Sequence, residues 1–210
     1  MAITTYGELN TAIANWLARA DLTNRIPEFI ALCEARYHRT LRVAGMEKRA
    51  QTVTSVSTEY VALPTDFMEI RNFQLQTSPV TNLKAMSPDD IDLIYAGNSG
   101  KPQFYAIVGD EIQLAPPPNG AYSLEMDYWA KLTPLSSTDT SNWMLQNAPD
   151  IYLYGSIIEA SRFIKLPVDR IREAKEAYQS AVDDLNAASA RRRWPSSSMA
   201  MRNTNHIGML

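Results

Sequence analysis

Residues 103–115 read QFYAIVGDEIQLA, and the turn at their centre decides the fold. Gly109-Asp110 suits a two-residue hairpin with glycine at positive φ, flanked by two short apolar runs. In that register Ile107 faces Ile112 and Tyr105 faces Leu114, which predicts one apolar face. Downstream, Pro116-Pro117-Pro118-Asn119-Gly120 reads as a loop. AYSLEMDYW (121–129) then alternates, with Tyr122, Leu124, Met126 and Tyr128 on one side. Upstream, QTVTSVSTEYVAL (51–63) and FMEIRNFQLQ (67–76) give strand signals without a helical stripe. Ser87-Pro88-Asp89-Asp90 has the pattern of an N-cap, a first-turn proline and two acids. It predicts a short helix through Ile91, Ile94 and Tyr95, ended by Gly97.

Outside this region the period changes to that of helices. Thr5-Tyr6-Gly7-Glu8 forms a capping-box pattern. Leu9, Ala12, Ile13, Trp16, Leu17 and Ala20 follow at spacings of three and four. Pro27 fits the first turn of a second helix with the apolar face Ile26, Phe29, Ile30, Cys33, Tyr37 and Leu41. Arg36, Arg39 and Arg42 lie on its other face, and Gly45 closes the segment. After Asp139, SNWMLQNAPDIYLYGSIIEASRFI is apolar on more than one side, which predicts a buried helix from about Ala148. Val168, Ile171, Lys175, Tyr178, Val182 and Leu185 line a last helix running to the arginines at 191–193.

The expected fold is therefore α+β. An α-helical bundle of two N-terminal and two C-terminal helices (residues 1–47 and 139–193) carries an inserted β-rich domain (48–138). An extended C-terminal arm (194–210) follows. No internal repeat is evident.

The chain has 210 residues, 45% hydrophobic and 20% charged, with one cysteine, Cys33. No apolar run is long enough to span a membrane. The N-terminus lacks the basic and apolar segments of a secretory signal. A single cysteine excludes an internal disulfide and fits a reducing compartment. The net charge of −3 is split: the last twenty residues hold four arginines and no acid, leaving −7 on the rest. A basic tail on an acidic body suggests that the tail has its own partner.

Little in the sequence supports catalysis. His38 and His206 are not spaced with Cys33 or a carboxylate pair as metal ligands. Phosphate loops, nucleophile elbows and zincin motifs are absent. Asp89, Asp90 and Asp92 read as helix-start acids and lack the spacing of a calcium loop. Glu159, inside an apolar helix, reads as an ion-pair member. We expect no cofactor, no metal site and no catalytic residue. Arg191, Arg192 and Arg193 have three readings: a helix C-terminus favoured by the dipole, a contact for an acidic protein, or a nucleic-acid contact.

The tail, RRRWPSSSMAMRNTNHIGML, scatters Trp194, Met199, Met201, Ile207, Met209 and Leu210 through polar residues, with Arg202 among them. Ordering its last sixteen residues costs roughly 15–30 kcal/mol of backbone entropy. Burying about six large apolar side chains returns only roughly 10–18 kcal/mol. A docked tail therefore also needs backbone hydrogen bonds, as in strand addition to a sheet edge.

Four stretches carry a resemblance: TYGELNTAIANWLARAD, LPTDFMEIRNF, GKPQFYAIVGDEIQLAPPPNGAYSLEMDYWAKLTPLS and NWMLQNAPDIYLYGSIIEASRF. In order and spacing they resemble the head-to-tail adaptor (connector) proteins of tailed bacteriophages, especially short-tailed ones, over most of residues 4–180. The resemblance implies a structural virion protein at the head–tail junction, made in the bacterial host cytoplasm. It implies a homo-oligomeric ring, usually a dodecamer, below the portal protein. The helical part and C-terminal arm would contact the portal, and the β domain would face a downstream tail or nozzle protein. Double-stranded DNA would pass the lumen without specific binding. The arm residues expected to bind the portal are Arg191, Arg192, Arg193, Trp194, Met199, Met201, Arg202, Ile207, Met209 and Leu210. Two other readings remain: a nucleic-acid-binding module using the arginine run, and an enzyme or carbohydrate-binding protein built on the β region.

Overall fold

The computed structural model describes residues 2–95 and 97–193. Among these the protein is α+β, with six α-helices and two four-stranded sheets. The expectations for Trp194, Met199, Met201, Arg202, Ile207, Met209 and Leu210 lie outside the described residues.

The capping box at Thr5 forms as expected. Thr5 Oγ1 accepts from Glu8 N (3.3 Å), and Glu8 Oε2 accepts from Thr5 N (2.9 Å). It opens helix α1 (Tyr6–Leu17), which ends earlier than its apolar stripe suggests. Ala18 turns into the left-handed region at φ 52°, so Ala20 belongs to a following 3-10 turn. Helix α2 (Ile26–Thr40) starts with Pro27 in its first turn. It ends at Thr40 because Leu41 is extended, so Gly45 does not close it. Gly45 lies in a second 3-10 turn (Ala44–Met46) against Trp143, where a Cβ would fall 2.0 Å from the indole ring.

The strand signals at 51–63 split between two sheets. Strands β1 (Glu47–Val53), β3 (Phe67–Leu75), β4 (Thr81–Asn82) and β8 (Ser123–Ala130) form one sheet in the order β1-β8-β3-β4. Strands β2 (Tyr60–Ala62), β5 (Lys84–Ala85), β6 (Phe104–Val108) and β7 (Glu111–Ala115) form the other in the order β2-β7-β6-β5. The hairpin forms in the expected register, with Tyr105 opposite Leu114, Ile107 opposite Ile112 and Gly109 at φ 62°. Its apolar face is shorter than expected, because Ile107 near the tip is 45% exposed.

Ile112 and Leu114 meet Phe73, Leu75, Leu124, Met126 and Tyr128 in a core between the sheets. On the outer face of the second sheet, Ala106 and Ala115 pack with Ile91 of helix α3 (Pro88–Tyr95). Ser87 caps that helix through Asp90 N at 3.2 Å, and Gly97 past its end has φ 74°.

The other helices share a separate core. A break at Ala148 separates α4 (Trp143–Asn147) from α5 (Pro149–Ile164). Helix α5 is buried along most of residues 151–161 and contacts α1, α2, α4 and the last helix, α6 (Val168–Arg193). The helices approach closely at Gly155, where an added Cβ would lie 2.4 Å from Cys33 Sγ of α2 and 3.2 Å from the Tyr178 ring of α6. Trp129, at the end of β8, points away from the sheet core and joins the helical one.

Candidate functional site

The sequence directs attention to the end of α6. At about 1.5 Å per residue, its 26 residues extend about 39 Å. Ala174, Ala181 and Val182 are buried, and Tyr178 and Leu185 pack partly against the helical core. Arg191, Arg192 and Arg193 form the last turn, where cations meet the negative end of the helix dipole. Arg191 and Arg192 are exposed. Arg193 turns inward, its guanidinium 5.1 Å from the centre of the Trp129 ring. Its Nε and Nη2 are buried without a hydrogen-bond partner among the described residues. One turn earlier, Ser189 Oγ accepts from Ala44 N (2.9 Å). The end of α6 is thereby fixed to the turn that leads into β1, and its last residue reaches the end of β8.

A buried polar network fixes the return crossing from β8 to α4. Glu34 Oε1 accepts from Leu135 N (2.8 Å) and from the Tyr152 hydroxyl (2.9 Å). The Tyr37 and Tyr152 hydroxyls share a hydrogen bond at 2.9 Å. Asn142 Nδ2 donates to the Tyr152 hydroxyl (2.7 Å) and to Thr133 O (2.9 Å), while its Oδ1 caps α4 through Leu145 N (3.0 Å). Burial raises the Glu34 pKa, opposed by the hydrogen bonds from Leu135 N and Tyr152. His38 Nε2 accepts from Leu132 N at 3.0 Å. Burial, together with the charges of Lys131 and Arg42, lowers the His38 pKa to about 4.

None of these groups forms a reactive constellation. The Cys33 thiol is buried, donates to Ile151 O (3.5 Å), and is pushed up to about 12 by burial, so it stays protonated. His38, held neutral, serves as a hydrogen-bond acceptor. Glu159 pairs with Arg36 across α2 and α5, with Arg162 3.9 Å away. The acids at the start of α3 are used locally: Asp90 accepts from Ser87 Oγ (2.9 Å) and Asp92 from Gln113 Nε2 (2.9 Å). Among the described residues, no three His, Cys, Asp or Glu side chains converge to hold a metal ion. No described helix is long and apolar enough to cross a membrane.

The structure thus places Arg191, Arg192 and Arg193 together on one helix end, two outward and one inward. Sequence reasoning did not anticipate the contact of Arg193 with Trp129, nor the Glu34–Tyr37–Tyr152–Asn142 network. Signals for the network existed. Glu34 interrupts the apolar face of the second helix, and Asn142 stands three residues before Leu145, at N-cap spacing.

The described residues thus offer buried polar groups that fix chain crossings and exposed charge at a helix end. The chain matches the family described as SU10 adaptor protein over residues 4–202. It belongs to that family, whose members are phage head-to-tail adaptors. No curated protein matches it. Family membership implies a structural role in phage tail assembly at the virion head–tail junction, in association with portal and tail proteins.

Proposed function

We propose that this chain is one subunit of a closed adaptor ring, a dodecamer, seated on the portal and leaving a channel for genome passage. The helices and residues 194–210 contact the portal, and the sheet region faces the next tail protein. Double-stranded DNA passes without specific binding. This arrangement divides the chain into a helical part (1–47 and 139–193), a β-rich insertion (48–138) and an arm (194–210). The arm acts through Arg191, Arg192, Arg193, Trp194, Met199, Met201, Arg202, Ile207, Met209 and Leu210.

One observation carries this reading: Arg191 and Arg192, in the last turn of α6, are exposed and form no ion pair among the described residues, just where the arm begins. Exposed Leu93, Ile94, Ile107 and Val108 in the sheet region support a second contact surface there. Head-to-tail contacts close a ring. Repeated arms then dock multivalently, since each docked arm raises the effective concentration of the next.

The test is co-sedimentation of purified subunits with the cognate portal. A chain lacking residues 194–210, and a separate Arg191→Glu/Arg192→Glu variant, should keep the native circular dichroism spectrum and lose attachment. Undiminished attachment by both would refute the arm's role. Fragment DNA binding with a steep salt slope would favour the nucleic-acid reading instead.

A further inference from the structure

Both sheets have an open edge on the same side of their shared core. β1 and β2 are edge strands, and between them lies a cleft of about 210 Å³. Ala50 and Thr52 form one lip and Val61 and Leu63 the other, with Phe73 and Leu124 among the residues lining the cleft. Register shows which side chains of β1 face it. Lys48, Ala50 and Thr52 lie opposite Tyr128, Met126 and Leu124, which point into the sheet core. The hydrogen bond from Thr54 N to Tyr122 O (2.9 Å) sets the phase of the ladder. Alternate residues bond to β8, so the backbone groups of Arg49, Gln51 and Val53 point outward, without a strand to pair with among the described residues.

An edge of seven residues beside an apolar cleft is a strand-receiving site. The chain itself delivers a candidate strand to it. Arg193, the last residue of α6, reaches Trp129, which pairs with Glu47 at the start of β1. The seventeen residues that follow therefore begin at one end of the open edge. From Glu47 to Thr52 is about 17 Å at the rise of a strand. From Arg193 to Met199, six residues of extended chain span about 20 Å. Residues 194–201, WPSSSMAM, carry no charge, and Met199 and Met201 stand two apart, the spacing that puts both on one face of a strand. The charges on β1 do not repel such a strand, because Lys48 is neutralised by Asp66 and Arg49 by Glu125. Methionine suits a cleft of irregular shape.

We propose that residues 195–201 of the same chain add to β1 as a parallel strand and seat Met199 and Met201 at the cleft between the sheets. The added strand satisfies the outward backbone groups of β1 and covers an edge that would otherwise recruit other chains. This assignment is independent of portal docking. It holds for the free subunit, and the tail can leave the edge when a portal competes for it.

The test uses the full chain, at low concentration and without portal. Amide hydrogen exchange at Arg49, Gln51 and Val53 should be at least about tenfold slower in the unaltered chain than in Met199→Asp/Met201→Asp. Exchange at Leu124 and Met126 should be equal in both, which controls for an intact sheet. Equal rates at the three edge amides would overturn the proposal, as would protection that appears only on raising the protein concentration, the signature of a second copy. Independently, Thr52→Cys/Met199→Cys should oxidise to a disulfide within one chain, since Cys33 is buried. A disulfide-linked dimer would overturn the assignment to the same chain.

Discussion

Replacing Gly155 by alanine tests a close contact among the helices. The added Cβ would lie 2.4 Å from Cys33 Sγ, 3.5 Å from Cys33 Cβ and 3.2 Å from the Tyr178 ring. The first distance is too short for any carbon–sulfur contact, so α2 or the Cys33 rotamer must shift. Overpacking of this kind costs about 1–3 kcal/mol. Alanine in a helix interior is favoured over glycine by about 1 kcal/mol, which offsets part of that cost. The single variant should therefore be destabilised by about 0–2 kcal/mol. Cys33→Ala alone should cost about 1 kcal/mol for the buried sulfur it removes. Combined, the two changes relieve each other, and the coupling energy should reach about 1–3 kcal/mol. Urea unfolding of the four proteins, with equal slopes, measures it. If Gly155→Ala raises stability by the full helix-propensity gain, and the double variant is additive, α2 and α5 are not in contact at this point. The stakes extend to the candidate site, because the same contact includes Tyr178 and so sets how α6, with its arginine end, lies on the other helices.

Two further outcomes concern the buried polar groups. His38 has a folded pKa near 4, below its ordinary value, so the unfolded chain takes up the proton first on acidification. Its contribution to stability is present above about pH 6.5 and is lost as pH falls toward 4. Glu34 has a raised pKa and acts in the opposite sense, being protonated first in the native state. In His38→Gln the decline in urea midpoint over that pH range should shrink, and an unchanged pH profile would show that His38 is not its source. Tyr152→Phe leaves Glu34, Tyr37 and Asn142 without a shared hydroxyl and should cost about 2–3 kcal/mol. A fall in stability of less than about 0.5 kcal/mol would mean that water or rotamer changes replace it.

Much of the fold is legible because its elements obey local rules. The capping box at Thr5, the Ser87 cap and the Gly109-Asp110 turn depend on neighbours in sequence, and each forms as read. The hairpin register follows from that turn. What was not legible depends on tertiary contact. Gly45 resembles a helix terminator, yet its role is set by Trp143, nearly a hundred residues away. The alternating pattern at 51–63 cannot say that its two halves join different sheets, because pairing partners are not written in a strand's own period. Ile107 has the right parity for the core but lies near the hairpin tip, beyond its cover. At the helix end, the arginine run was visible as charge. Its division into two outward residues and one inward depends on Trp129, whose neighbour Tyr128 faces the other core.

The polypeptide passes between the helical core and the sheet region twice, at residues 41–47 and 130–142, and both passages are tied down. Ala44 N is held by Ser189 and Arg42 Nε by Glu69, each at 2.9 Å. Leu132 N and Leu135 N are held by His38 and Glu34. Mechanically this is a joint with two fastenings rather than one. A single crossing would act as a swivel about its own axis. Two spaced crossings resist torque, and a tensile load divides between them. A chain built in this way resists twisting of its helical core against its sheets.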